Sequence, residues 1–188
     1  MRATMKIHAI FVLSLIAGLC SGQNLVSNGD FETAVPELSK IYKGRGRLSF
    51  VKEEIGDNHC AKVEIVNFTK DKDGIETAAA NILVPISNVK AGKTYCFSFE
   101  ATGSAPRFLL LVKQKDVDLK VTMPPKIKKG TYIELTPDWK EYTGTFVAKN
   151  DGDCVMNISL WHSTRYGKLF YSIGDYALVD NIEVFEKR

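Results

Sequence analysis

The sequence predicts an all-β protein built as two antiparallel sheets packed face to face, and three observations carry that prediction. Residues 178–185, Leu178-Val179-Asp180-Asn181-Ile182-Glu183-Val184-Phe185, alternate in the way of a strand with one buried face. Similar short runs recur along the chain between Gly, Asp and Asn turn signals, with no amphipathic helix to serve as a crossover, and many short strands without crossovers specify a sandwich. Phe108-Leu109-Leu110-Leu111-Val112 is apolar on both parities, which suits a strand inside a sheet that is covered on both sides.

The elements follow in order. Residues 1–22 read as a secretory leader: Arg2 and Lys6 precede the apolar run Ile10 to Leu19, and the small residues Cys20-Ser21-Gly22 end it, so that cleavage after Gly22 exposes Gln23. Attachment of a lipid at Cys20 fits less well, because Leu19 stands where lipid attachment prefers a small residue. Residues 23–188 then form one domain. Arg47 to Val51 and Cys60 to Val66 alternate cleanly about the turn signal Gly56-Asp57-Asn58. Glu76 to Val84 contains the helix-favouring Ala78-Ala79-Ala80 but is expected as a strand that Pro85 ends. Thr94 to Ala101 carries Tyr95, Phe97 and Phe99 on one face, and Lys115 to Gly130 suits an irregular excursion. A turn at Leu135 to Asp138 runs into a strand that ends at Val147, and Cys154 to Trp161 forms the last strand but one.

Composition limits the function. The 188 residues are 45% hydrophobic, enough for a sizeable core. Of 25 basic residues, loss of Arg2 and Lys6 with the leader leaves 23 against 22 acidic, a net charge of +1. That argues against a nucleic-acid protein, which needs a basic surplus to displace counterions. The run Lys43-Gly44-Arg45-Gly46-Arg47 reads as a solvated loop. After the leader, no stretch approaches the roughly 18 apolar residues of a membrane span. Cys60, Cys96 and Cys154 remain after loss of Cys20: Cys154 shares parity with Met156, Ile158 and Leu160 and reads as buried, whereas Cys60 and Cys96 lie on polar faces and could be bonded. With no Cys-x-x-Cys pair, and only His59 and His162 after the leader, a structural zinc is not indicated. Asp71-Lys72-Asp73-Gly74 lacks the spacing of a calcium loop and reads as a turn.

In the last strand Asp180 shares parity with Leu178, Ile182 and Val184, and a carboxylate in an inward row must be paired, hydrogen-bonded or bound to a metal. A second acidic cluster lies in Asn24-Leu25-Val26-Ser27-Asn28-Gly29-Asp30-Phe31-Glu32. The expectation is that these two ends of the domain lie side by side and share an oxygen-rich site.

Four segments carry a family resemblance: Asn24 to Glu32; Ala91-Gly92-Lys93-Thr94-Tyr95-Cys96-Phe97-Ser98-Phe99-Glu100-Ala101; Trp139-Lys140-Glu141-Tyr142-Thr143-Gly144-Thr145-Phe146; and Val179-Asp180-Asn181-Ile182-Glu183-Val184. In this order the chain resembles carbohydrate-binding modules of families 4, 9 and 22, within the galactose-binding-like jelly rolls. The resemblance implies a jelly-roll sandwich, a structural calcium ion held by Glu32 and Asp180 with Asp30 as a third acid, and a poly- or oligosaccharide ligand. Calcium accepts such a set of carboxylates and loop carbonyls; hydrogen bonding of Glu32 and Asp180 to loop amides is the alternative.

Sugar binding needs aromatic rings laid against apolar pyranose faces and polar groups that read the hydroxyls. Trp161 opens the loop Trp161-His162-Ser163-Thr164-Arg165-Tyr166-Gly167-Lys168, which brings Trp161, Tyr166 and Arg165 together as candidates, because loops at strand ends collect binding residues. Tyr42 is a further candidate where the family often places a binding tryptophan. Trp139 fits a packing role at a strand start, while Tyr171, Gln114 and Asn81 are polar residues better read as sheet or surface groups. Asn67-Phe68-Thr69 and Asn157-Ile158-Ser159 are glycosylation sequons.

No His-Glu-x-x-His run, Gly-x-Ser-x-Gly elbow or phosphate loop is present. A glycosidase needs two carboxylates across a cleft, and nothing in the sequence marks a pair. Two readings follow: a secreted, periplasmic or cell-surface protein that binds glycan without cleaving it, or an envelope structural or protein-interaction sandwich that binds no sugar.

Overall fold

A computed structural model describes residues 23–32, 45–52, 58–115, 117–123 and 132–188. The leader and Tyr42 lie outside the described residues. Twelve strands appear among them: β1 (Gly46–Lys52), β2 (His59–Ile65), β3 (Thr69–Lys70), β4 (Glu76–Val89), β5 (Thr94–Gly103), β6 (Arg107–Gln114), β7 (Val117–Asp118), β8 (Val121–Thr122), β9 (Tyr132–Glu134), β10 (Lys140–Val147), β11 (Gly152–Ser163) and β12 (Tyr176–Glu186). One sheet has the order β1-β2-β12-β5-β10-β8; the other runs β3-β4-β11-β6-β7, with β9 also paired to β6. Ladders within both sheets are antiparallel, as the lack of crossover helices requires.

The core lies between the sheets. Phe97 and Phe99 of β5, Phe108 of β6, Tyr142 and Phe146 of β10, and Met156, Ile158 and Leu160 of β11 supply its bulk. Phe99 stacks on Tyr142 at 5.4 Å, and Phe108 meets the edge of that ring at 5.1 Å, so the two sheets are joined by offset and edge contacts between aromatics. Cys154 packs in the same row, and burial pushes its thiol up to about 11, which leaves it unreactive.

Three expectations need correction. Pro85 does not end β4, which continues to Val89. Among the described residues, the strand paired to β4 beyond Thr77 is β11, because β3 covers just Glu76 and Thr77, so a residue without an N–H is tolerated on that margin. Second, Asp180 does not share a face with Ile182 and Val184. The β5–β12 register shifts between Asp180 and Glu183, and Asn181 takes a left-handed φ of 51°. This bulge exchanges parity: Ala177 and Val179 enter the core before it and Ile182 and Val184 after it, while Leu178 and Asp180 lie on the outer face. Third, Cys60 and Cys96 are not bridged to each other. Strand β12 separates β2 from β5, and two strand spacings of about 4.8 Å exceed the reach of a disulfide.

The ends of the domain do meet. Leu25 N donates to Val184 O at 2.9 Å, Val184 N to Asn24 Oδ1 at 2.9 Å, and Ile182 N to Gly29 O at 2.9 Å. Residues 23–32 thus lie along the final strand.

Candidate functional site

The outer face of the β3-β4-β11-β6-β7 sheet holds one candidate site. On β11 the even positions from Cys154 to Leu160 enter the core, so Asn157, Ser159 and Trp161 point outward; on β4 the outward residues are Ala79, Asn81 and Leu83. The register sets Trp161 against Ala79, Ser159 against Asn81 and Asn157 against Leu83, while Leu109 and Leu111 of β6 flank Ser159 and Asn157. The middle of this face is closely covered: Ala79 is 0% exposed, Ser159 4% and Asn81 5%, although none of them points into the core.

At one end of this face the chain leaves β11 in a 3-10 turn, Thr164–Tyr166. Ser163 caps the turn by accepting from Arg165 N, and Thr164 Oγ1 accepts from Glu76 N at 2.9 Å, which fastens the turn to the start of β4. Trp161 and Tyr166 are thereby brought together, ring centroids 5.8 Å apart and planes tilted by 54°. Tyr166 is 68% exposed and Arg165 beside it is exposed, whereas Trp161 is half-buried. Trp161 is fixed from below as well, since Tyr132 Oη donates to its carbonyl at 2.8 Å.

The remaining sequence candidates have structural duties. Tyr171 is buried and donates to Arg107 O at 3.0 Å, and burial drives its phenol far above the usual range. Gln114 is buried, donating to Asn150 O and accepting from the amides of Lys149 and Asn150. Trp139 is partly exposed just before β10. His162 sits 4.2 Å from Phe170 and 5.9 Å from Tyr132; burial, and then Arg107, lower its pKa, so it is neutral at pH 7. The rings of Phe170 and Tyr132 pack against it.

The second site lies where the ends meet. Asp180, 2% exposed, accepts from Asn58 Nδ2 at 2.7 Å and from Asn181 N at 2.7 Å. Glu32 accepts from His59 N at 2.9 Å, and its other oxygen lies 3.3 Å from His59 Nδ1. Consecutive residues, Asn58 and His59, therefore connect the two carboxylates. Asp30 is exposed and turned to its own loop, accepting from Glu32 N at 3.4 Å. Among the described residues no three His, Cys, Asp or Glu side chains group as a metal site. A cation here would draw its other oxygens from amides and main-chain carbonyls, and the Asn58 side chain can present either its oxygen or its nitrogen to Asp180. As the chain stands, each carboxylate is matched by hydrogen-bond donors, Asp180 by Asn58 and Asn181 and Glu32 by His59.

Sequence reasoning missed Asn58, His59, Asn157 and Ser159. For the last two a signal existed, since they occupy the parity opposite to Met156, Ile158 and Leu160.

With this geometry in view, the comparisons with known proteins can be set beside it. A family model described as "Carbohydrate binding domain" matches residues 23–164. The chain belongs to this carbohydrate-binding family. Among solved structures it is similar to a family 4 carbohydrate-binding module, with 17% identity over 86% of this chain and 99% of that one and a TM-score of 0.55. It is also similar to the family 61 module TmCBM61, solved with β-1,4-galactotriose, with 12% identity over 88% of this chain and 100% of that one and a TM-score of 0.54. At such identities these likenesses show the fold, a jelly-roll sandwich. No curated protein sequence matches. Among the described residues of this family member, no helix is long and apolar enough to cross a membrane.

Proposed function

We propose that this family member is an exported protein that binds a poly- or oligosaccharide on the face centred on β11, and holds it without breaking a bond. One observation carries the reading: Trp161 and Tyr166 converge, 5.8 Å apart, at the end of a sheet face that carries amide and hydroxyl side chains. The rings supply apolar surface for pyranose faces, and Arg165, Asn157 and Ser159 supply groups that pair with hydroxyls.

Affinity electrophoresis through gels containing β-1,4-galactan, hydroxyethyl cellulose or xylan tests this. The wild-type protein is expected to be retarded by at least one polymer, and Trp161→Ala to lose about 1–3 kcal/mol of that binding, roughly 5- to 150-fold. If no polymer retards the wild type, the chain is instead an envelope sandwich that binds protein or nothing.

The same proposal includes a structural calcium ion held by Glu32 and Asp180. Asp30 is left out of the set because its carboxylate faces its own loop. When bound, the ion supplies fixed positive charge; the protein's own groups, the Asp180 and Glu32 carboxylates with the Asn58 amide, bring residues 23–32 to β12.

A further inference from the structure

We propose that glycan binding at the Trp161 end of this face is lost in acid, and that a proton taken up by His162 is the cause. The proposal rests on the glycan reading above and adds to it a control by pH.

His162 follows Trp161 on β11 and, by the alternation of the strand, turns to the opposite side of the sheet. It is 5% exposed, and its Nδ1 is buried with no hydrogen-bond partner. The Phe170 ring lies 4.2 Å away and the Tyr132 ring 5.9 Å away, edge-on, while the ladder sets Ala78 of β4 opposite. Charged and titratable groups come to this cage from each element around it. Strand β6 brings Arg107, whose guanidinium lies 4.8 Å over the Phe170 ring. Strand β9 brings the Tyr132 phenol, with Glu134 two residues on and opposite Arg107 in the ladder. The segment after the 3-10 turn brings Tyr171, its ring 4.6 Å from Phe170, and β4 carries Glu76 two residues before Ala78. Burial holds both phenols above their usual range, so they stay neutral. Burial, and then Arg107, oppose a charge on the imidazole itself: a proton on Nδ1 makes a buried N–H with no acceptor. The closed cage is therefore at full strength above the ordinary imidazole value of 6.5, and it weakens as the pH falls below that value until the caged ring takes the proton. The effect reaches the binding rings through Tyr132, which packs on His162 with its ring and donates from its hydroxyl to Trp161 O at 2.8 Å. A charged imidazole that moves out to water takes away the packing behind this tyrosine, and Trp161 loses the hydrogen bond that fixes its backbone.

Isothermal titration with whichever of the three polymers most retards the wild type, at about pH 7.5 and about pH 5, measures the effect. Each unit by which the caged ring titrates below a free one biases the cage tenfold toward opening, so wild-type affinity should fall roughly tenfold between the two conditions. In His162→Phe, and in His162→Gln should the phenyl ring upset folding, the ratio of the two affinities should stay within about twofold, whatever the affinity at the higher pH. An NMR titration of the ligand-free protein gives a second readout: the His162 ring signals should move with a midpoint below that of free imidazole, and the Trp161 indole N–H signal should move with them. Equal wild-type affinities at the two pH values overturn the proposal and leave the glycan reading standing. A fall that persists in both variants assigns the acid effect to other groups, such as His59 beside Glu32, and overturns it as well. So does a Trp161 signal that stays still while His162 titrates. A wild-type protein retarded by no gel overturns the glycan reading and this proposal with it.

Discussion

Glu141 of β10 lies directly opposite Glu100 of β5, and Asp180 of β12 lies opposite Glu100 on its other side, so three acids form a row across three strands. Asn181 Nδ2 donates to Glu100 at 2.9 Å and eases part of this crowding. Glu141 keeps the burden: burial first, then Glu100 and Glu183, raise its pKa. A carboxyl whose folded pKa exceeds its unfolded one favours the fold while protonated, and that advantage is lost as pH rises through the folded pKa. Glu141→Gln should therefore raise the unfolding free energy at pH 7 by about 0.2–1 kcal/mol, the scale of an opposed like-charge pair, and change it little at a pH below the carboxylate range. Urea titrations at the two pH values measure this; an equal gain at both would assign the effect to packing.

Among the elements, the bulge in β12 decides how this sheet presents its charges. Asn181 at φ 51° inserts the extra residue, and only then can Asp180 face outward while Ile182 and Val184 pack inward. A β-branched residue is strained there, and glycine is not. Asn181→Val should cost about 1–3 kcal/mol, and Asn181→Gly distinctly less, as judged by urea midpoints; equal losses would show that the bond to Glu100, which both variants lack, outweighs the backbone. The strands β1, β2, β5, β10 and β11 were legible in the sequence because each alternates over seven or more residues beside clear turns. The bulge was not, since a single unpaired residue leaves no mark in an alternating run and simply reverses the parity read beyond it. Strand β9 was hidden because three residues cannot show a period. The Trp161–Tyr166 pairing was legible, as the two lie close together in sequence where β11 gives way to a turn. The polar middle of the sheet face was not: Asn81 and Ser159 are 78 positions apart in sequence, and only the β4–β11 register sets them opposite each other.

At the scale of the whole molecule, the sandwich is closed by its own first segment, which runs along β12 and brings Glu32 to His59, next to the Asn58 that holds Asp180. Gly29 makes the approach possible: a Cβ there would stand 2.0 Å from Ile182 O, and that oxygen belongs to the backbone and cannot swing aside. Gly29→Ala should therefore lift residues 23–32 from the final strand, which limited proteolysis would detect as new cleavage near the N-terminus of the domain. The proposed calcium ion makes a linked prediction. At a free concentration about a hundred times its dissociation constant, an ion bound only to the folded state adds about 2.7 kcal/mol. For a domain of this size each kcal/mol shifts the melting midpoint by roughly 2–4 °C, so thorough chelation should lower it by about 5–10 °C. In Gly29→Ala the shift on chelation should shrink, because Glu32 leaves the site, and in Asp180→Ala it should vanish. A wild-type midpoint unmoved by chelation would leave Asn58 and His59 as the sufficient partners of the two carboxylates and remove the ion from the account, while the clasp between the first segment and β12 would still be tested by Gly29→Ala alone.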